Sequence, residues 1–187
     1  MTTLSGTEAT EQRLETVVPG VAVVHLATHG YFASAHCAGD ALPDRSPLSR
    51  SGIVLAGANA DSRGVWTAEE VASVDLSGVG LVVLSACETG LGDAAPGEGV
   101  LGLRRALSMA GARSLVVSLW KVPDAATAEL MRRFYKRLRR GATVPVALRE
   151  AQLAVIDSRR REALPAVGSW SAFLAAGDPD VRLRGAR

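Results

Sequence analysis

One histidine and one cysteine occupy matching positions after two apolar segments of this chain. His29 comes two residues after the run at residues 21–27 (VAVVHLA), and Cys87 comes two residues after the run at residues 81–85 (LVVLS). A thiol is mostly protonated at neutral pH, whereas the thiolate is the nucleophile. A nearby imidazole can accept the thiol proton and later return it to a leaving group. The pair therefore indicates covalent catalysis by a cysteine nucleophile.

The elements before these residues must bring them together. Both runs are short, apolar at successive positions and rich in β-branched residues, which is typical of parallel strands buried on both faces. Ligands bind beyond the carboxyl ends of such strands. If the two strands are neighbours, His29 and Cys87 lie close together at one edge of a sheet. The competing interpretation of Cys87 is a small, buried apolar residue at a strand end.

Gly30 gives the backbone room near a bound substrate. The backbone N–H groups of Gly30 and Cys87 are candidate donors to an oxyanion that develops during acyl transfer. We predict no metal and no cofactor. His25 precedes His29 by four residues but lies in a strand, where we expect a hydrogen-bonded core histidine, and His36 and Cys37 have no second ligand pair.

The rest of the chain alternates between strand and helix patterns. Further strands are predicted at residues 53–56, 115–120 and 170–175, and helices at residues 7–17, 98–110, 124–140 and 143–157. Thr67 and Glu70 have the spacing of a capping box, which predicts a short helix after Thr67. This alternation predicts an α/β fold in which helices cover both faces of a mostly parallel sheet. The segment 97–102 (GEGVLG) matches a dinucleotide fingerprint, but no strand directly precedes it, so we expect its glycines to serve packing.

Composition narrows the class of protein. With 187 residues, 48% hydrophobic content and a net charge of +2, the chain suits one soluble domain and offers no strong field for nucleic acid. Residues 1–13 lack the apolar core of a signal peptide, and no apolar run approaches the roughly 20 residues of a membrane helix. We therefore expect a cytoplasmic protein without nucleic-acid or membrane partners, and its composition suggests a bacterial source.

Several motifs together resemble the CHAT domain, a caspase-like domain associated with tetratricopeptide repeats. They are, in order, residues 25–30 (HLATHG), 83–92 (VLSACETGLG), 97–102 (GEGVLG), 111–114 (GARS), 118–120 (SLW), 170–173 (WSAF) and 177–178 (GD). The resemblance covers residues 4–178 and leaves a short basic tail at 179–187. It implies a caspase-like three-layer sandwich and a cysteine endopeptidase that cleaves a protein or peptide substrate. It also implies that His29 and Cys87 are the catalytic pair.

Relatives in that clan usually carry two further strands before the histidine strand, and only 20 residues precede Val21 here. The resemblance therefore implies a domain that lacks its first strands. A tetratricopeptide-repeat region or a regulatory partner is a candidate source of those strands. The alternative to an active peptidase is a non-catalytic interaction module or an inactive fragment.

The same resemblance suggests a specificity pocket. It implies that Ser85, two residues before the nucleophile, and the segment 120–124, after the next strand, form the primary pocket. There Asp124 would favour Arg or Lys on the acyl side of the cut bond, and Trp120 would contact the long apolar stem. In the simpler interpretation, Asp124 only caps the helix that follows it.

Overall fold

Six strands form a single sheet at the centre of the fold. The computed structural model describes residues 1–33, 48–59, 64–91, 98–162 and 170–183. In chain order, strands β1 to β6 are Val23–Ala33, Ser51–Val54, Val65–Thr67, Leu81–Leu91, Ser114–Ser118 and Phe173–Gly177. Their spatial order is β3-β2-β1-β4-β5-β6. The pairs β1–β4 and β4–β5 are parallel, and the other three pairs are antiparallel. Four strands therefore run in one direction, which confirms the predicted mostly parallel sheet.

Helices lie on both faces of this sheet. Helices α1 to α5 are Glu11–Val17, Ala68–Ser73, Glu98–Met109, Asp124–Leu138 and Val144–Arg161. The capping box that opens α2 is confirmed, because the Thr67 hydroxyl accepts from the Glu70 N–H and the Glu70 carboxylate accepts from the Thr67 N–H. Among the described residues, none of the helices has the length and apolar character needed to cross a lipid bilayer.

The alternation of side chains along β4 divides the core into two layers. Val82 and Leu84 pack in one cluster with buried residues of α1, α2 and α3, whereas Leu81 and Val83 pack in another with those of α4 and α5. Successive residues of a strand point to opposite faces of the sheet. Because helices cover both faces of β4, every apolar side chain at residues 81–84 is buried. This arrangement confirms the three-layer α/β fold and fixes β4 at its centre.

β1 is buried on one face only, which corrects the expectation of a strand covered on both. Val24 and Leu26 are buried, but His25, Ala27 and His29 are exposed on the opposite face. α4 and α5 pack mainly over β4 and β5, and no β1 residue is fully buried in their cluster. The exposed half of β1 is therefore a sheet surface that the described helices leave largely open.

β1 and β4 are longer than predicted. Each continues for several residues past its apolar run, to Ala33 and Leu91, through polar positions that include His29 and Cys87. Main-chain hydrogen bonds between neighbouring strands do not require apolar side chains, so the pairing outlasts the hydrophobic pattern that predicted it. The expectation that both residues follow their strands is therefore wrong, since both lie within them.

Other differences concern local boundaries. β3 was not predicted, and β5 ends at Ser118, so Trp120 lies outside it. Pro123 is the N-cap residue of α4, without a side-chain cap, and Asp124 is the first helical residue. The interpretation of Asp124 as the N-cap is therefore wrong. The predictions for His36, Cys37 and Gly97 fall outside the described residues.

Candidate active site

His29 and Cys87 are direct partners across two neighbouring parallel strands. The register of β1 and β4 runs without interruption from Val23 opposite Leu81 to Ala33 opposite Leu91, and it sets His29 opposite Cys87. Neighbouring strands lie about 4.8 Å apart, and directly paired positions share a face of the sheet. The structure describes the main chain of Cys87, so the two residues are compared by the positions of their backbones. The backbone geometry is that of two residues held side by side.

The sheet divides on the β5 side of Cys87. Pairing of β4 with β5 ends at Leu84 opposite Val117, whereas pairing of β4 with β1 continues for seven further residues. β5 instead stays with β6, where Ser118 pairs with Phe173. The Leu119 N–H then donates to the Ala172 carbonyl at 2.8 Å. A fork therefore opens between β4 and β5 from Ser85 onward, two residues before Cys87. The strand order places the topological switch point, where α/β sheets bind ligands, between β1 and β4, which carry His29 and Cys87.

Ser118 bridges this fork. Its side chain is buried, with 4% of its surface exposed. The hydroxyl oxygen lies 3.0 Å from the carbonyl oxygen of Ala86 and 3.5 Å from that of Leu84. The Ala86 carbonyl belongs to the peptide group that joins Ala86 to Cys87. A side chain of β5 thus holds the main chain of β4 where the strands no longer pair.

A second hydroxyl lies next to His29. Thr28 donates a hydrogen bond from its side chain to the Val54 carbonyl of β2. Pairing of β1 with β2 covers Gly30 to Phe32, so this bond extends the attachment by two residues beyond the main-chain pairing. His29 itself is exposed on the open face of β1. β1 is therefore attached to β4 at His29 and to β2 at the preceding residue, while the His29 ring remains exposed.

Gly30, a candidate oxyanion donor, is buried inside the sheet. It pairs with Ile53 of β2 on one side and with Glu88 of β4 on the other, and it has a bonding partner in the structure. Its assignment as a donor to an oxyanion therefore stays a prediction.

His25 is satisfied, as predicted, but it is not a core residue. Its Nδ1 atom lies 2.9 Å from the Tyr135 hydroxyl of α4, and the two ring centroids are 5.7 Å apart. The protein atoms around the ring lower the pKa of His25, although part of the side chain is exposed. Burial also raises the pKa of the Tyr135 hydroxyl. Both shifts favour the neutral forms of the two side chains, and the hydroxyl and the ring nitrogen share one hydrogen bond. Within the described ranges, no three His, Cys or acidic side chains form a metal-binding group.

The candidate specificity residues lie on both sides of the fork. Ser85 is half-buried on β4, two positions before Cys87. Trp120 lies just beyond β5 with 43% of its surface exposed, and Asp124 is exposed at the start of α4. A carboxylate in the first turn of a helix is stabilised by the helix dipole. This position explains the presence of Asp124 without a ligand and leaves its role in specificity a prediction.

The sequence pattern missed Ser118 and Thr28 as residues of the site. Each is a hydroxyl residue within a predominantly apolar strand, and a buried hydroxyl needs a hydrogen-bond partner. That signal marks both residues as unusual, but it does not identify their acceptors.

Fold and site together define a caspase-like α/β domain with a histidine and a cysteine in register on adjacent strands. The sequence model of the CHAT domain family matches residues 1–178. The chain therefore belongs to the CHAT domain family.

The chain is also similar in sequence to two curated vertebrate proteins. Tetratricopeptide repeat protein 28 of Homo sapiens is 36% identical over 117 residues, and the protein of the same name from Mus musculus is 35% identical over 117 residues. Each alignment covers 63% of this chain and 4% of the relative. The aligned part thus spans a small fraction of the curated relatives it matches. The bacterial source suggested by composition remains a prediction.

Proposed function

We propose that this chain is a cysteine endopeptidase in which His29 and Cys87 act as a dyad on a protein substrate. The observation that supports the proposal most directly is the register of β1 and β4, which pairs these two residues beside the fork in the sheet. Membership of the CHAT domain family, which resembles the caspases, supports the same reaction class. A shared register position puts the two side chains on the same face of adjacent strands, which brings them within the reach that a dyad needs.

In the proposed reaction, the Cys87 thiol transfers its proton to the His29 imidazole. The sulfur then forms a bond to the carbonyl carbon of the scissile peptide. The C–N bond breaks, the imidazolium protonates the leaving amine, and an acyl-enzyme thioester remains. Water then gives a proton to His29 and attacks the thioester, which releases the carboxylic acid and restores the thiol. The exposure of His29 supports this role, because the ring must reach both substrate and water.

The oxyanion of each tetrahedral intermediate would accept hydrogen bonds from the backbone N–H groups of Gly30 and Cys87.

We also propose a preference for Arg or Lys on the acyl side of the cut bond. Asp124 would attract the cation, and Trp120 would contact the apolar stem of the side chain. Ser85 is small and uncharged, so it leaves room for a long side chain without selecting its charge. The exposure of Trp120 and Asp124 beside the fork supports this assignment.

A partner that supplies additional strands belongs to the same proposal. On the β2 side of β1, no described strand pairs with residues 23–28, and the outer face there carries exposed side chains. An unpaired strand edge favours the addition of another strand. A tetratricopeptide-repeat region is a candidate partner, since the curated relatives are named for such repeats. Because these repeats are helical, a regulatory partner is the candidate source of the added strands. We place this assembly in the cytoplasm, with neither nucleic acid nor membrane as a partner.

The decisive experiment labels the purified chain with an irreversible, thiol-directed peptide inhibitor that carries Arg at the acyl position. Labelled sites are located by mass spectrometry, and turnover is measured in parallel with a matching fluorogenic peptide. We expect labelling at Cys87, loss of turnover in Cys87→Ala, and loss of both labelling and turnover in His29→Ala. Cys37→Ser and His25→Gln are the controls and should retain both.

The alternative, a non-catalytic interaction module, makes a different prediction for the same samples. Cys87 would then react no faster than an ordinary thiol, and His29→Ala would leave the labelling of Cys87 unchanged. That result would refute the dyad.

A further inference from the structure

We propose that Ser118 is a positioning residue that holds the main chain of Cys87 in register with His29. This inference rests on the proposed function, because it assigns Ser118 a role in that same site. The hydrogen bond from the Ser118 hydroxyl to the Ala86 carbonyl, at 3.0 Å, is the contact that carries it.

The need for such a residue follows from the fork. Up to Leu84, β4 is held between β1 and β5 by main-chain pairing on both sides. From Ser85 onward, pairing continues only with β1. The Ala86 carbonyl accepts from Ser118 one peptide before the Cys87 α-carbon, so the hydroxyl restores a contact on the open side.

A second serine of the same strand shows that burial alone does not explain Ser118. Ser114 is 1% exposed, and its hydroxyl lies 3.4 Å from the Ala176 carbonyl of β6. Main-chain pairing surrounds Ser114 on both sides, opposite Leu81 and Gly177. The Ser114 hydroxyl therefore adds a hydrogen bond where the main chain of β5 already pairs with β4 and β6. At Ser118 the hydroxyl bridges two strands whose main chains have separated.

Removing the hydroxyl therefore has a specific consequence. In Ser118→Ala, the Ala86 carbonyl loses its donor and β4 keeps only its attachment to β1 at Cys87. The sulfur and the imidazole then spend less time in a productive arrangement, and small displacements of a reacting group are costly in rate. We expect kcat to fall about tenfold with KM nearly unchanged, as for a group that acts on the chemical step.

The experiment uses a Cys37→Ser background, in which Cys87 is the only thiol of the chain. Ser118→Ala, the rescue variant Ser118→Thr and the matched control Ser114→Ala are made in that background. Alkylation of Cys87 by iodoacetamide is followed at about pH 7 and at about pH 9.5, on either side of the ordinary thiol pKa of about 8.5. Urea unfolding and, where the parent turns over the fluorogenic peptide, kcat and KM are measured for each variant.

We expect Ser118→Ala to slow alkylation several-fold at about pH 7 and to leave it unchanged at about pH 9.5, where no base is needed to form the thiolate. Ser118→Thr, which keeps the hydroxyl, should restore the parent rate, and Ser114→Ala should match the parent at both pH values. A purely structural role would instead lower the stability of both alanine variants and leave the ratio of the two rates unchanged.

The two proposals fail in different ways. An unchanged ratio in Ser118→Ala, in a chain whose alkylation depends on His29, refutes the positioning role and leaves the dyad intact. If His29→Ala does not alter alkylation, the dyad fails. Slowing by Ser118→Ala at both pH values alike would show an effect on access rather than on the geometry of the pair, and would also overturn the inference.

Discussion

Replacing Gly177 with alanine should destabilise the fold far more than the same change at Gly141. Both glycines have φ near +90°, at +91° and +86°, in a region that residues with a side chain rarely adopt. At Gly141, an added Cβ would meet nothing within 4 Å. At Gly177 it would lie 2.4 Å from the Arg113 carbonyl oxygen and 3.2 Å from the Ser114 Cα. The pair therefore separates the cost of the backbone angle from the cost of the contact.

The magnitude follows from the neighbouring contacts. The angle alone costs about 1–2 kcal/mol at either site. Relieving the contact at Gly177 requires β6 to move away from the chain before β5, where the Asp178 N–H donates to the Arg113 carbonyl at 2.8 Å. Losing that bond costs about 1 kcal/mol, and the crowding itself costs about 1–3 kcal/mol. The Arg113–Asp178 ion pair is partly exposed and adds little.

We therefore expect Gly177→Ala to lose about 2 kcal/mol or more beyond the loss in Gly141→Ala. Urea unfolding followed by far-UV circular dichroism measures the free energy of unfolding of each variant. In a thermal melt, the same difference corresponds to a Tm lower by about 4–8 °C for a chain of this size. Equal losses in the two variants would refute the reasoning, because they would show that the tight packing of β6 against Arg113 contributes nothing.

Two further predictions test the packing of α4 and α5 and the effect of His25 on stability. Phe134→Ala should cost about 3–5 kcal/mol, because the ring is 0% exposed in that core. Val146→Ala, at a position 48% exposed on α5, should stay within about 0.5 kcal/mol, and equal losses would contradict this assignment of faces. Burial lowers the pKa of His25 in the folded state, so the unfolded chain binds more protons as pH falls below about 6.5. The free energy of unfolding should therefore decrease from about pH 7 to about pH 5.5, and His25→Gln should weaken this dependence; an identical pH profile in the variant would show that His25 makes no contribution.

Much of the fold can be predicted from the sequence because buried strands and helices have characteristic spacings of apolar residues. Residues 81–84 are apolar at successive positions, and each face of that strand packs in its own cluster. The capping box at Thr67 is equally local, since its partners are three residues apart. The equal offsets of His29 and Cys87 from their apolar runs indicated that the two residues belong together. The register of β1 and β4 bears out that indication at the level of the backbone.

The limits of the strands were decided by tertiary contacts. β1 and β4 extend through His29 and Cys87 because each strand supplies hydrogen-bonding partners to the other, whatever their side chains are. The same apolar pattern that predicted burial of β1 on both faces does not record how far α4 and α5 reach across the sheet. The outer face of β1 is open because α4 and α5 do not reach over it, and these helices lie about a hundred positions away in the chain.

The sequence by itself determined which residues are candidates for the chemistry, because a thiol, an imidazole and the apolar runs before them are local properties of the chain. Only the tertiary structure decided where β4 and β5 separate and which group crosses the gap. Ser118 and its acceptor Ala86 are 32 residues apart, on different strands. A hydroxyl in an apolar strand shows that it needs a hydrogen-bond partner, but the partner is chosen by how the strands are arranged in space.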